Sequence, residues 1–211
     1  MHIATGEPTV SRRRLASRST AWAQWMAARL AESGITPNQI SSLSLFWAAA
    51  GGAAVLWGSW PAMVAAAACI QMRLLCNLMD GMVAIEWRKA SPTGVLYNEV
   101  PDRIADCLLL VPLGYAIGLP AVGWLLGLLA LATAYVRLLG GSLGLPQDFG
   151  GIMPKQRRMA ALTCGLLAGA LEQSALGSQY ALVATASAIG VGSALTCGTR
   201  LSALSSALEL R

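Results

Sequence analysis

The 211-residue sequence contains little charge and only one histidine. Asp, Glu, Lys and Arg make up 12% of the residues, whereas about 25% is usual for a soluble protein. His2 lies in the N-terminal segment, outside every apolar block, so catalysis by histidine is close to excluded. The hydrophobic share of 55% excludes a disordered chain, because so much apolar surface would not stay solvated. A packed membrane protein remains.

The sequence also lacks the cysteine patterns of disulfide and zinc proteins. Its five cysteines lie far apart among apolar neighbours and form no CxxC pair; they are Cys69, Cys76, Cys107, Cys164 and Cys197. We interpret them as small buried hydrophobic residues. No apolar h-region follows the arginines of residues 12–18, so we predict no signal peptide and expect residues 1–19 to form a basic, flexible tail.

Basic residues outnumber acidic ones by 15 to 10, which gives a net charge of +5. They are not gathered into a stripe interleaved with aromatic residues, which argues against nucleic acid as a partner. They flank apolar blocks instead, as in membrane proteins. We therefore expect membrane lipids around the protein and no nucleic acid.

Three long blocks are almost free of charge: residues 40–72, residues 107–136, and residues 159–199, which contain only Glu172. Each exceeds the ~20 residues that one helix needs to cross a bilayer. Gly, Pro and Ser interrupt them at residues 58–61, 118–120 and 173–178. The pattern predicts an all-α integral membrane protein, whose domain covers residues 35–200 with six transmembrane helices in three hairpins.

The predicted helices run from about residue 38 to 57 and from 61 to 86, and the third starts near Asn98. The hairpin turns carry no basic residues, whereas residues 12–29, 88–89 and 137–158 carry many. The bias of Lys and Arg toward the cytoplasm predicts that both termini, including a tail over residues 201–211, face inward. We expect the inner membrane of a bacterial-type cell.

Before the first span, Trp22, Trp25, Met26 and Leu30 recur at helical spacing. Residues 20–34 are predicted to form an amphipathic helix in the membrane interface. A plain helix that packs on the bundle explains the same pattern equally well.

Acidic residues crowd around the end of the second predicted helix and the start of the third. An ionised side chain at membrane depth costs about 2.5–3.5 kcal/mol, so a cluster needs metals, bases or water as partners. Asp102 and Asp106 lie four residues apart and share a helix face. Asn98 precedes Asp102 by four residues, and Asn77 precedes Asp80 by three. Two polar helix faces are therefore expected to converge on one site.

The spacing Asn77-x2-Asp80-Gly81-x2-Ala84, followed by Gly94-x3-Asn98-x3-Asp102, resembles the signature of the CDP-alcohol phosphotransferases (CDP-alcohol phosphatidyltransferases), D-x2-D-G-x2-A-R-x8-G-x3-D-x3-D. Residues 36–41 (TPNQIS) and the basic segment 155–159 resemble the starts of the family's first and fifth helices. Asn77 and Asn98 stand where the family has Asp, and Ile85 replaces its Arg, which indicates a divergent branch.

The resemblance implies a site for one or two Mg²⁺ or Mn²⁺ ions. The implied metal ligands are Asn77, Asp80, Asn98 and Asp102, with Glu99, Asp106 or Glu86 as possible compensation for the missing charge. Asp102 holds the family's general-base position. Asn77, Asp80, Gly81, Ala84 and Gly94 would contact the nucleotide, and Arg73, Arg103, Lys155 and Arg158 the phosphate or the acceptor.

Each of these assignments has a structural alternative. Asp106 could simply pair with Arg103 or Arg73, and Asn98 could cap the third helix. The arginines, Arg137 and Arg157 above all, could be topology determinants that contact anionic lipids.

The resemblance further implies an enzyme of phospholipid biosynthesis. It would transfer a phosphatidyl group from CDP-diacylglycerol to a small polar alcohol, release CMP and form a homodimer. Two alternatives remain: a catalytically impaired relative that binds CDP-lipid or a partner protein without turnover, and a transporter that uses Asp80, Asp102 and Asp106 as an ion path.

Overall fold

The structure, a computed structural model, describes residues 20–87 and 93–210. The tail predicted for residues 1–19, the basic pair Arg88–Lys89 and Arg211 lie outside the described residues. All regular secondary structure in the described ranges is helical. The helices are α1 (Ala21–Glu32), α2 (Pro37–Trp57), α3 (Trp60–Glu86), α4 (Gly94–Ala116), α5 (Pro120–Ser142), α6 (Lys155–Leu176) and α7 (Tyr180–Glu209).

The first predicted turn is present and has clear local causes. Thr36 and Gln39 form a capping box at the start of α2, in which each side chain accepts the other's backbone N–H. Gly58 ends α2 in the left-handed conformation at φ 74°, which glycine adopts without steric cost. Pro61 lies in the first turn of α3, where its missing N–H is not needed.

α4 begins one turn earlier than predicted. The carbonyl of Thr93 accepts the N–H groups of Leu96 and Tyr97, so the helix starts at Gly94. Asn98 is therefore inside the helix and does not cap it, which makes that alternative wrong. α7 continues to Glu209, so residues 201–209 of the predicted cytoplasmic tail are helical, and the position of this segment in the cytoplasm stays a prediction.

Five helices are long and apolar enough to cross a membrane: α2, α3, α5, α6 and α7. This supports a multi-pass membrane protein. α4 has 23 residues but carries Glu99, Asp102, Arg103 and Asp106 in its first half. By composition α4 is not such a helix, so the count of six spans stays a prediction.

Successive helices pack against each other in the pairs α2–α3, α4–α5 and α6–α7, and the contacts α2–α4, α3–α6 and α5–α7 join the pairs. Small residues permit the closest approaches. A Cβ on Gly52 would lie 2.1 Å from the carbonyl oxygen of Leu108, so α2 and α4 touch backbone to backbone. Gly114 and Gly123 likewise permit backbone-to-backbone contact between α4 and α5.

α1 packs on α3 through buried Ala23 and Ala27. Trp22 and Trp25, in contrast, are 49% and 61% exposed. Packing on the bundle is thus observed, and the position of α1 in a membrane interface stays a prediction.

Candidate functional site

A cavity of about 670 Å³ lies among the helices near the end of α3 and the start of α4. Its polar lining comes from α3, α4, α5, α6 and α7, and includes Asn77, Asn98, Glu99, Asp102, Arg103, Thr133, Arg137, Lys155, Arg158 and Arg200. Seven of the residues singled out by the motif or its surroundings are therefore brought to one cavity: Asn77, Asn98, Glu99, Asp102, Arg103, Lys155 and Arg158.

Asp102 stands at the cavity wall with both carboxylate oxygens engaged. The side-chain amide of Asn77 donates to its Oδ1 at 2.9 Å, and Arg73 Nη2 lies 3.3 Å from the same atom. Lys155 Nζ, at the start of α6, forms an ion pair with Oδ2. α3, α4 and α6 thus meet at this one side chain.

Asp106 lies one turn further along α4 and is 1% exposed. Arg73 Nη2 donates to its Oδ1 at 3.0 Å and Arg158 Nη2 to its Oδ2 at 2.7 Å. The predicted pairing with Arg73 is confirmed, and Arg158 takes the place proposed for Arg103. Both carboxylate oxygens of Asp106 are hydrogen-bonded to guanidinium groups. This residue therefore lies behind the cavity wall, which it supports, and does not line the cavity.

Asp80 is buried and accepts a hydrogen bond from Ser41 Oγ on α2 at 2.6 Å. It is close enough to Asp102 for the two carboxylates to interact electrostatically. Asp80 does not line the cavity, however, and neither do Gly81, Ala84 and Gly94, the other residues assigned to the nucleotide. Those three are partly buried in α3 and α4.

Glu99 points to a different set of cations. Arg137 Nη2 reaches both of its carboxylate oxygens at 2.7 Å, and Arg103 Nη2 lies 3.2 Å from Oε2. Arg137 also donates to Gln147 and stacks over the ring of Phe149. Glu99 is therefore tied to α5 and its following loop.

Sequence reasoning favoured a topology role for Arg137 over a place in the site, and it gave Arg200 no place in the site. Arg200 is buried and donates to the carbonyl oxygens of Thr133 and Gly150, each at 2.7 Å, so it fastens α7 to α5 and to the loop before α6. One signal was available, since each is a lone cation at the edge of an uncharged run. The hydrogen-bond partners of Arg200, namely Thr133 and Gly150, are distant in sequence and belong to no motif.

The residues present do not fit a pair of divalent cations. Among residues 20–87 and 93–210, no three His, Cys, Asp or Glu side chains are grouped as metal ligands. Four carboxylates, Asp80, Glu99, Asp102 and Asp106, face five cations, Arg73, Arg103, Arg137, Lys155 and Arg158. Mg²⁺ and Mn²⁺ favour free oxygen ligands, and here Glu99, Asp102 and Asp106 already hold cations.

Comparison with known proteins gives matches at the level of structure. No family model matches the sequence, and no curated protein matches it significantly. The phosphatidylinositol phosphate synthase of Mycobacterium tuberculosis, in its crystal structure with CDP-DAG bound, superposes with a TM-score of 0.75 at 20% identity, over 88% of this chain and 94% of that one.

Two further crystal structures of that synthase give similar values. The complex with manganese and citrate has a TM-score of 0.73 at 20% identity, over 86% of this chain and 88% of that one. The apo form has a TM-score of 0.70 at 22% identity, over 84% of this chain and 93% of that one. The chain therefore has the fold of the mycobacterial synthase, and the resemblance to the CDP-alcohol phosphotransferase family is confirmed at the level of the fold.

Proposed function

We propose that the protein is a membrane phosphotransferase of phospholipid biosynthesis. It takes a phosphatidyl group from CDP-diacylglycerol, transfers it to a hydroxyl group of a small polar alcohol and releases CMP. One observation carries this proposal: Asn77 and Asp102, the first and last residues of the motif, are hydrogen-bonded across two helices at the wall of a cation-rich cavity. The shared fold with a synthase crystallised with CDP-DAG supports it.

The cavity offers what a pyrophosphate donor needs. Arg103, Lys155 and Arg158 line it, and guanidinium groups bind phosphate oxygens in bidentate fashion. Most other cavity-lining residues of α3 are apolar, namely Met72, Leu74, Leu75 and Leu78, which suits the glycerol and acyl part of a lipid. A headgroup would lie at the charged wall and the lipid tail along α3.

Asp102 is the proposed base. The oxygen of the acceptor hydroxyl attacks the phosphorus that carries the diacylglycerol, the bond from that phosphorus to the oxygen of CMP breaks, and the hydroxyl proton passes to the carboxylate. Asn77 and Lys155 fix the orientation of Asp102, so that its main contribution is to position the hydroxyl for attack.

The sidedness of the site is also proposed. Lys155, Arg157, Arg158 and Arg200 lie at the same end of the bundle as the cavity, and basic residues favour the cytoplasmic side. We place the cavity on the cytoplasmic face of a bacterial-type inner membrane and expect a homodimer.

A second candidate function is binding of CDP-lipid without turnover. The specific observation in its favour is that three cationic side chains, Arg73, Arg103 and Lys155, lie within 4 Å of the Asp102 carboxylate, which would have to accept a proton. A relative in which this carboxylate only holds neighbouring side chains would bind the donor and never release CMP.

The test is CMP release from CDP-diacylglycerol by the purified protein with a panel of polar alcohols. Turnover is expected with at least one alcohol, and Asp102→Asn should lower it at least 100-fold, the size of a lost general base. Glu32→Gln, at an exposed carboxylate of α1, is the control and should keep wild-type turnover. Donor binding without CMP release would favour the second function, and unchanged turnover in Asp102→Asn would refute the base assignment.

A further inference from the structure

The hydrogen-bonding pattern at Asp102 differs from that of a metal ligand set. Asn77 turns its amide nitrogen, and not its oxygen, toward Oδ1 at 2.9 Å. Such an amide is a donor to a carboxylate, and its nitrogen is not a ligand for Mg²⁺ or Mn²⁺. On the other oxygen, the ammonium group of Lys155 already supplies a positive charge.

The cluster around Asp102 already contains more cations than carboxylates. Four carboxylates, Asp80, Glu99, Asp102 and Asp106, face five cations, Arg73, Arg103, Arg137, Lys155 and Arg158. Two divalent ions would add four positive charges to this group. Uncompensated charge in a buried site is costly, so the cluster does not favour a metal pair.

The same cluster contains donors that are still unsatisfied. Within the described ranges, Nε and Nη1 of both Arg73 and Arg158 are buried without a hydrogen-bond partner. A buried donor without a partner costs about 1–3 kcal/mol. Arg158 also lines the cavity, and Lys155 beside it is 25% exposed. An anion with several oxygens that enters here meets an ammonium group and an unsatisfied guanidinium group.

We propose that fixed side-chain cations replace divalent metal ions in this protein. Lys155 and Arg158 are held by Asp102 and Asp106, and they bind the pyrophosphate of the CDP-linked donor without Mg²⁺ or Mn²⁺. Arg73 donates to both carboxylates and keeps them in position. This inference rests on the proposed function, from which it takes the donor.

The first experiment measures the binding of CDP-diacylglycerol to the detergent-solubilised protein in excess EDTA and in millimolar Mn²⁺. The two dissociation constants are expected to agree within threefold. Binding that weakens more than tenfold in EDTA would overturn the inference and leave the proposed function intact. Absence of binding under both conditions would overturn both.

The second experiment follows Mn²⁺ alone by electron paramagnetic resonance, which reports the free ion. The wild-type protein is expected to leave the free-ion signal unchanged at equimolar protein and metal. Asn77→Asp combined with Asn98→Asp restores two carboxylates and should bind Mn²⁺ at least tenfold more tightly. Stoichiometric Mn²⁺ binding by the wild type would refute the replacement of metal by lysine.

The third experiment compares lysine variants. Lys155→Gln should weaken donor binding in EDTA at least tenfold, while Lys155→Arg, which keeps the charge, should stay within threefold of wild type. Arg157→Gln is the matched control, because Arg157 is exposed on the same turn of α6 and bonds only backbone carbonyls of the preceding loop. Equal affinities for wild type and Lys155→Gln would contradict the proposal, provided that Lys155→Gln unfolds at the wild-type temperature.

Discussion

Asp106 is a buried charge with a well-defined pair of partners. Arg73 and Arg158 each donate to one of its oxygens, and all three side chains are 1% exposed or less. Loss of one member of a buried ionic cluster leaves the others uncompensated, which typically costs about 3–5 kcal/mol. Asp106→Asn should therefore lower the free energy of unfolding by about this amount, measured by denaturant titration in mild detergent.

A control for this change exists on α1. Glu32 pairs with Arg29 at 4.0 Å with both side chains about 70% exposed, and such surface pairs contribute little. Glu32→Gln should leave the unfolding midpoint within error of wild type. If Asp106→Asn matched it, the buried cluster would not stabilise the protein.

At the level of single residues, the sequence predicted the shared face on α4 and its convergence with α3, and it missed the ion pairs that these carboxylates form with a third helix, α6. The four-residue step from Asp102 to Asp106 places both on one face, and both contact Arg73 as expected for a shared face. The partners Lys155 and Arg158 come from α6, more than 50 residues away. No local spacing encodes such a contact, which depends on how whole helices pack.

Helix α2 owes its start to the capping box of Thr36 and Gln39. The Thr36 hydroxyl accepts the N–H of Gln39 at 3.3 Å, and Gln39 Oε1 accepts the N–H of Thr36 at 2.9 Å. Thr36→Ala should destabilise the protein by about 1 kcal/mol, because an N-cap side chain contributes roughly that much. Thr36→Ser keeps the hydroxyl and should retain most of the stability, as a thermal unfolding curve would show; equal losses in both variants would argue against the cap.

Helix boundaries were predictable where Gly and Pro mark them. The breaks at Gly58 and Pro61, and at Gly118 and Pro120, lie where the sequence places them. The start of α4 was not predictable in this way, because it depends on Thr93, which forms a plain backbone turn. The end of α7 was not predicted for a related reason, since residues 201–209 contain no Gly or Pro that would mark a helix end.

The arrangement of the whole bundle depends on close approaches between helices. A methyl group on Gly52 would lie 2.1 Å from the carbonyl oxygen of Leu108, a contact that forces α2 and α4 apart. Gly52→Ala should cost about 1–3 kcal/mol, the range for overpacking in a tight interior. Gly198→Ala is the control, because a Cβ there meets nothing within 4 Å. Equal unfolding temperatures for the two variants would show that the α2–α4 contact is not tight.

The all-helical fold could be predicted from the lengths of the apolar blocks, but the neighbours of each helix could not. The hydropathy profiles of α5, α6 and α7 are similarly apolar. They therefore do not indicate that α3 packs on α6 or that α5 packs on α7. The α5–α7 pairing depends on small residues such as Gly190 of α7, where a Cβ would lie 3.2 Å from the side chain of Leu126 on α5. The helix pairings bring together the ends of α3, α4 and α6 that form the cavity.

Trp22 belongs both to α1 and to the cavity lining, and α1 is joined to the bundle through α3. α1 thus forms one side of the cavity, and a displacement of α1 would enlarge the cavity opening on that side. An affinity tag placed before Ala21 risks this displacement, whereas one attached after Glu209 lies beyond the last helix. Shortened versions of the protein that lack α1 would be expected to admit bulkier molecules and to discriminate less among them.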